Sequence, residues 1–463
     1  MSEHISHRFI PNSAPGIREE MLKVIGFDNV DEIYEEIPED LRFKGDLNIP
    51  ADPTSEFEVQ KRIKGTLAKN RTTGELLSFL GAGSWPHYVP ALCKEIGSRA
   101  EFVTAYAGSA AVDHGRYQAV FEYQSMIGDL FEMDVVSAPV YDGPTASGDA
   151  VQMAFRATGK RRVLVPKLIS PDKLTTLQIY CDPWLEMELV EYQPETGQLD
   201  LDDLRAKITE DTAAVYIENP SYLGVIETQL EEISQIAHEN GALLAASVYP
   251  TSLGVLAPPG QYDADIACGE GQPLGLTLSC GGATLGILAS KNEKRFLEVH
   301  PSFLVGLTPT VQDEFAFSWH TLYHRTVYDA RDKARSFTGT ASWLWAIVSA
   351  VYMALLGPDG FRQLAETNMQ KARYAMERLN EIKGVRAPHF ATPHFNEFVV
   401  NFDGTGKTVA EINQELLELG IFGGKDISQE FPEFGSAALY CVTEIHGQED
   451  IERLATALDK VTG

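Results

Sequence analysis

Residues 141–150 (YDGPTASGDA) run straight into an apolar stretch at residues 151–157. A Gly/Thr/Ser loop that opens into a helix N-terminus points several backbone N–H groups at one spot, which makes it a ready anion site. The plainer reading of the same residues is a capped helix start with no ligand.

Other candidate motifs fail on spacing. Residues 403–408 (DGTGKT) suggest a phosphate loop, but that motif needs a Gly five positions before the Gly of the GK pair, and Asn401 stands there. A turn followed by a helix capped at Thr408 fits better. Residues 269–275 (GEGQPLG) lack the G-x-G-x-x-G spacing, and Pro273 would stop the helix that a dinucleotide site needs. His320 and His324 stand four apart with no third ligand in view, so a helix-surface pair is expected and no metal site. The five cysteines (Cys93, Cys181, Cys268, Cys280 and Cys441) form no C-x-x-C and are widely spaced, as expected for buried thiols.

An absence is as informative as any motif. From Ile208 to Ser290 there is no Lys and no Arg. At 38 of these residues in 463, about seven would be expected in a window that long. Whatever the loops of that window surround at the carboxyl ends of its strands, this chain is expected to offer it no amine and no guanidinium.

The elements that must position these residues follow from periodicity. Apolar runs at 162–166, 187–192, 213–217, 242–248 and 283–289 fit strands buried on both faces. Residues 230–240 place Leu230, Ile233, Ile236 and Ala237 on one helical face before Gly241. Strand, helix, strand in that order implies parallel crossovers. The expected organisation is a helical arm over 1–70, with short helices at 17–25 and 30–37, then an α/β domain over 71–357. A small α+β domain over 358–463 follows Gly357-Pro358, with a helix at 360–382, a strand at 398–402, a helix at 409–419, a strand at 437–442 and a helix at 448–461. The most apolar run, 341–356, is interrupted by Ser342, Ser349 and Tyr352 and falls short of the about 18 residues of a membrane span, so a buried or interface helix is expected.

The net charge of −28 argues against nucleic acid and anionic membrane as partners. The start of the chain has no apolar signal-peptide core, and the composition suits a cytoplasmic protein.

Several longer stretches carry a resemblance: RFIPNSAPGIREEMLKVIG, SFLGAGSWPHYVP, EFVTAY, FEYQSMIGDLFEMDV, YDGPTAS, PTSLGVLAPPGQYDADIACGEGQPLG and YMALLGPDGFRQLA, in family order from Arg8 to about Ala365. The chain resembles the first-subunit branch of the two-subunit glycine dehydrogenase (decarboxylating), the pyridoxal-phosphate P-protein of the glycine cleavage system. The resemblance implies the α/β aspartate-aminotransferase-like fold of pyridoxal-phosphate-dependent transferases, with a large parallel-sheet domain and a small C-terminal α+β domain. It implies tight pairing with a catalytic second subunit and transfer of glycine's aminomethyl group to lipoylated H-protein. The cofactor-bearing Lys should follow the strand around 265–268; here Glu270 and Gln272 stand there, Gln272 near its place, and no Lys lies nearer than Lys207 or Lys291. Tyr249 stands where the family's first subunit usually has Asp.

The resemblance therefore implies a non-catalytic subunit, with pyridoxal phosphate on the partner and none covalently on this chain. Thr145, Ala146 and Ser147 then form a vestigial, empty phosphate cup. His87, Tyr106, Ser109 and Tyr141 are the candidates to lend side chains to the partner's site. Three segments depart from the family pattern: 107–113, 280–286 and 325–334. They motivate a second reading, a diverged paralogue that pairs with a different decarboxylase or serves as a binding or regulatory partner.

Overall fold

The computed structural model describes residues 9–10, 12, 14, 16–45, 47–48, 55–103, 110–279, 284–320 and 341–463. Met1–Arg71 and Thr72–Gly463 form separate units. The first holds α1 (Ile17–Ile25), α2 (Val30–Ile33) and α3 (Glu56–Leu67). Gly26 ends α1 in the left-handed conformation, φ 87°, returning its N–H to the Leu22 carbonyl. Helix α3 was not expected from periodicity, although Ser55 and Glu58 form a capping box at its start.

In the second unit the chain runs β1 (Leu77–Ser78), α4 (Ala91–Gly97), α5 (Ala100–Val103), α6 (Ala110–Phe131), β2 (Val135–Val136), α7 (Gly143–Thr158), β3 (Arg162–Pro166) and α8 (Pro171–Cys181). It continues with β4 (Glu186–Val190), α9 (Leu201–Lys207), β5 (Thr212–Asn219), α10 (Leu230–Glu239), β6 (Leu243–Val248), β7 (Ile266–Glu270), β8 (Gly286–Ser290) and α11 (Lys294–Leu297). The last elements are β9 (Leu304–Pro309), β10 (Phe315–His320), α12 (Ala341–Asn380), β11 (Glu397–Asn401), α13 (Val409–Glu418), β12 (Ile421–Phe422), β13 (Lys425–Asp426), β14 (Ala437–Cys441) and α14 (Gln448–Thr462).

The main sheet has seven strands in the order β2-β8-β7-β6-β5-β3-β4. Strands β3, β4, β5, β6 and β7 run parallel to one another, as the crossover pattern predicts. Strand β8 reverses against β7, and β2 against β8, so the sheet is mixed at that edge. Every residue of β5 and β6 is buried, which is why these strands read as unbroken apolar runs. One face packs under α7 and α8 through Ala146, Ala150, Val151 and Leu177. Gly148 allows that contact, since a Cβ there would meet the Tyr180 ring at 2.6 Å.

Helix α12 spans the expected domain boundary. It breaks at Gly357 (φ 59°, ψ −178°) and resumes at Pro358. By length and composition, Ser342–Asn380 could cross a membrane, yet Ala346, Ile347, Tyr352, Met353 and Phe361 are buried inside this unit. Towards the C-terminus, the end of α12, α13 and α14 stack on the three-stranded sheet β11-β14-β13. The antiparallel hairpin β9–β10 was not expected. It places His320 in a strand, so a helix-surface pair is ruled out at that position; His324 lies outside the described residues.

Candidate functional site

A cleft of about 490 Å³ opens where the carboxyl ends of β5, β6 and β7 meet the starts of α7 and α8, the usual place for a ligand on such a sheet. The segment Gly81–Trp85, Glu397 at the start of β11 and its neighbour Asn396 close its far side.

The expected anion site is one wall of the cleft, and it is filled. Asp142 caps α7, its Oδ1 accepting the Thr145 N–H at 2.7 Å. The Gly143 N–H donates to Glu270 Oε2 at 2.8 Å. The other oxygen of Glu270 accepts the N–H groups of Gln272 (2.8 Å) and Leu285 (2.9 Å). Three backbone donors thus converge on one internal carboxylate. Burial pushes this carboxyl up to about 7 against the pull of those donors, and nearby Asp142 adds to the rise. The expectation of an empty cup at Thr145, Ala146 and Ser147 is corrected. The Thr145 N–H serves the cap. Ala146 lies in the core beneath the helix. The Ser147 hydroxyl bonds the Gly143 carbonyl and the Tyr216 hydroxyl, both at 2.9 Å.

Gln272 stands where an imine-forming Lys was sought, and it is 0% exposed. Its Oε1 accepts the Trp85 N–H at 2.9 Å, and its Nε2 donates to the carbonyls of Trp85 (3.2 Å) and Leu276 (3.0 Å). Glu397 grips the same segment from the start of β11, accepting the Ala82 N–H at 2.6 Å and the Trp85 indole N–H at 2.7 Å. Burial raises the Glu397 carboxyl to about 7, opposed by those two donors and by Lys425. Tyr249 is 8% exposed and packs edge-on to Trp85 at 4.5 Å, with its hydroxyl pushed well above the usual range by burial.

One expectation about the cleft fails. An amine does line it: Lys173, from the first turn of α8. Ser170 caps that helix, accepting the Lys173 N–H at 3.3 Å. A cation at a helix start opposes the helix dipole, and here a buried acid offsets that cost. Lys173 Nζ is ion-paired with Glu218 at the end of β5 and lies 3.4 Å from Ser247 Oγ. The side chains are 19% and 3% exposed respectively. Tyr216 donates its hydroxyl to Glu218 at 3.2 Å, linking the pair to Ser147.

Of the proposed lending residues, Tyr141 is exposed, just before the α7 cap. His87 is half-buried against Tyr352, with its Nδ1 3.1 Å from the Trp85 carbonyl, and burial lowers its pKa. Tyr106 and Ser109 lie outside the described residues, as do residues 280–283 and 325–334 of the departing segments. At 403–408 the turn reading holds: Gly406 is left-handed, φ 73°, and Thr408 forms a capping box with Glu411. Cys93, Cys181, Cys268 and Cys441 are free and buried; Cys280 lies outside the described residues. Among the described residues no group of acids, His and Cys could hold a metal ion.

Sequence reasoning missed Lys173, Glu218 and Glu397 as cleft residues, and it placed Glu270 beside Gln272 without finding its contact with Gly143. A signal existed for Glu218, an acid at the end of an otherwise apolar strand, which demands a cation or donors beside it.

Pyridoxal phosphate does not fit these residues. It needs an amine where Gln272 stands, a carboxylate for the ring nitrogen where Tyr249 stands, and free N–H donors for the phosphate where Glu270 and Asp142 already sit.

The fold is nonetheless that of the aspartate-aminotransferase-like enzymes. A sphingosine-1-phosphate lyase from Burkholderia pseudomallei superposes with a TM-score of 0.66 at 15% identity, covering 92% of this chain and 94% of that one. A crystal structure of glycine decarboxylase (P-protein) of the glycine cleavage system, in inhibitor-bound form, superposes with a TM-score of 0.85 at 33% identity, covering 97% and 98%. The chain is 41% identical over 461 residues to a probable glycine dehydrogenase (decarboxylating) subunit 1 of Staphylothermus marinus, covering 98% of each. It is 38% identical over 469 residues to the protein so named in Aeropyrum pernix, covering 99% of this chain and 100% of that one. With the model of the glycine cleavage system P-protein matching residues 7–458, this chain belongs to that family.

Proposed function

We propose that this chain is the non-catalytic first subunit of a cytoplasmic glycine decarboxylase, paired with a second subunit that carries the pyridoxal phosphate. In that assembly the partner would hold the cofactor, which would supply the electron sink for decarboxylation of glycine, and lipoylated H-protein would receive the aminomethyl group. This chain's part is to fold as the matching half and to hold the surface on which the working half is built. The observation that carries the reading is Gln272, a fully buried amide bonded to Trp85 in the place of an amine. Lys173 does not replace the missing Lys, because its ammonium is bound to Glu218 and Ser247. An imine needs a free, neutral amine.

Two measurements test this. The full chain alone, incubated with pyridoxal phosphate and reduced with borohydride, should yield no stoichiometric adduct at Lys173 or any other Lys on peptide mapping. Mixed with a catalytic second subunit and H-protein, it should be required for glycine–bicarbonate exchange. A stoichiometric adduct on this chain, or full exchange without it, overturns the reading. Stable pairing with no exchange on glycine would favour a diverged paralogue serving another decarboxylase.

A further inference from the structure

We propose that Glu270 is a built-in occupant of the anion site at the start of α7, and that its carboxylate closes this half of the molecule to phosphate-bearing cofactors independently of the missing Lys. The inference rests on the reading of this chain as the cofactor-free half, and it names the side chain that keeps it so.

The geometry points to an occupied site. The Gly143 N–H, which a bound phosphate would use, donates instead to Glu270 Oε2. The N–H groups of Gln272 and Leu285 come from the loops flanking β7 and β8, and both turn onto the other oxygen. A carboxylate held by three backbone donors from three separate segments occupies the position of a ligand. The approach is close. A Cβ at Gly143 would lie 2.9 Å from the Glu270 Cβ and 3.3 Å from its backbone. No second anion can share this spot, because it would meet both Glu270 and the Asp142 cap at short range. The cleft beyond adds Asp172 and Glu397, while its ammonium, Lys173, is matched by Glu218, so its net charge also disfavours a phosphate.

Removing the Glu270 side chain should leave three buried donors unpaired and open to the cleft. Such donors take up an available anion. The test compares the full wild-type chain with Glu270→Ala in inorganic phosphate and in chloride at matched ionic strength. The wild type should melt at the same temperature in both. The variant should melt about 2–4 °C higher in saturating phosphate, and pyridoxal phosphate should compete for the site. A folded Glu270→Ala chain with no phosphate-dependent shift overturns the proposal, as does an equal shift in the wild type. If the variant does not fold in chloride, refolding yield becomes the readout: phosphate should raise it for Glu270→Ala and not for the wild type, and equal yields in the two salts overturn the proposal. The readout is anion binding by this chain alone, so its failure is distinct from any failure of the exchange assay.

Discussion

Gln272 bonds both sides of Trp85, accepting its N–H at 2.9 Å and donating to its carbonyl at 3.2 Å. The position near which the fold's cofactor-bearing Lys would stand carries a structural clamp. Gln272→Lys should therefore restore no cofactor. It would bury an ammonium, lose the acceptor for the Trp85 N–H, and cost about 3 kcal/mol or more. Urea unfolding should show the loss, and the visible spectrum with pyridoxal phosphate should show no aldimine band. Wild-type stability together with such a band would contradict the clamp.

The Lys173–Glu218 pair gives a second expectation. Lys173→Met leaves a buried carboxylate with only the Tyr216 hydroxyl and should cost about 3–5 kcal/mol. Adding Glu218→Gln removes the stranded charge, so the double variant should be more stable than Lys173→Met alone. A double-mutant cycle in urea measures the coupling, and strict additivity would show that the two side chains act independently.

Stability should depend on pH through Glu397. Its folded pKa is raised to about 7 from an unfolded 4.5. Between those values the folded state binds the extra proton, so this group's contribution is full below about pH 4.5 and is lost as pH rises through 7, by about 3 kcal/mol in all. Glu397→Gln should therefore gain stability relative to the wild type as pH rises from 5 to 8, read as a difference in melting temperature. His300 and His394 run the other way: burial lowers both to about 4, so their contribution is lost as pH falls from about 6.5 to 4. A pH-independent difference between the Glu397 variant and the wild type would rule out the coupling.

Gly224 makes a steric prediction. At φ 81° it lies against the Glu397 backbone, where a Cβ would overlap the carbonyl oxygen. Its own carbonyl accepts the Phe395 N–H at 3.2 Å. Gly224→Ala should cost on the order of 3 kcal/mol or more. Gly83, at φ 113° with nothing within 4 Å of a Cβ, supplies the control: Gly83→Ala should cost only backbone strain, about 1–2 kcal/mol. Equal losses in thermal melts would deny the contact.

The parts of the fold that were legible are those where burial writes itself into one segment. Strand β3 matches its apolar run residue for residue, and β5 and β6 were found because both faces are covered. The break at Gly357 was visible because Gly-Pro punctuates a helix strongly. The reversal of β8 was not legible, because strand direction is set by the connection and nothing in GILAS encodes it. The amine-free window was a true count, but it described one stretch of sequence, and Lys173 enters the cleft from outside it because the β3–α8 crossover packs the helix start beside β5. Glu270 was seen, in a glycine-rich stretch and beside Gln272 at the place of the missing Lys. Its role depends on Gly143, 127 residues away, and no local pattern reports such a distance.

The tie from Gln272 through Trp85 to Glu397 has a mechanical consequence. In a two-lobed enzyme the small lobe can swing over a bound molecule and back. Here such a swing would pull Trp85 off one anchor or the other and bare a buried amide or acid. The two anchors on Trp85 therefore oppose such a swing within this chain.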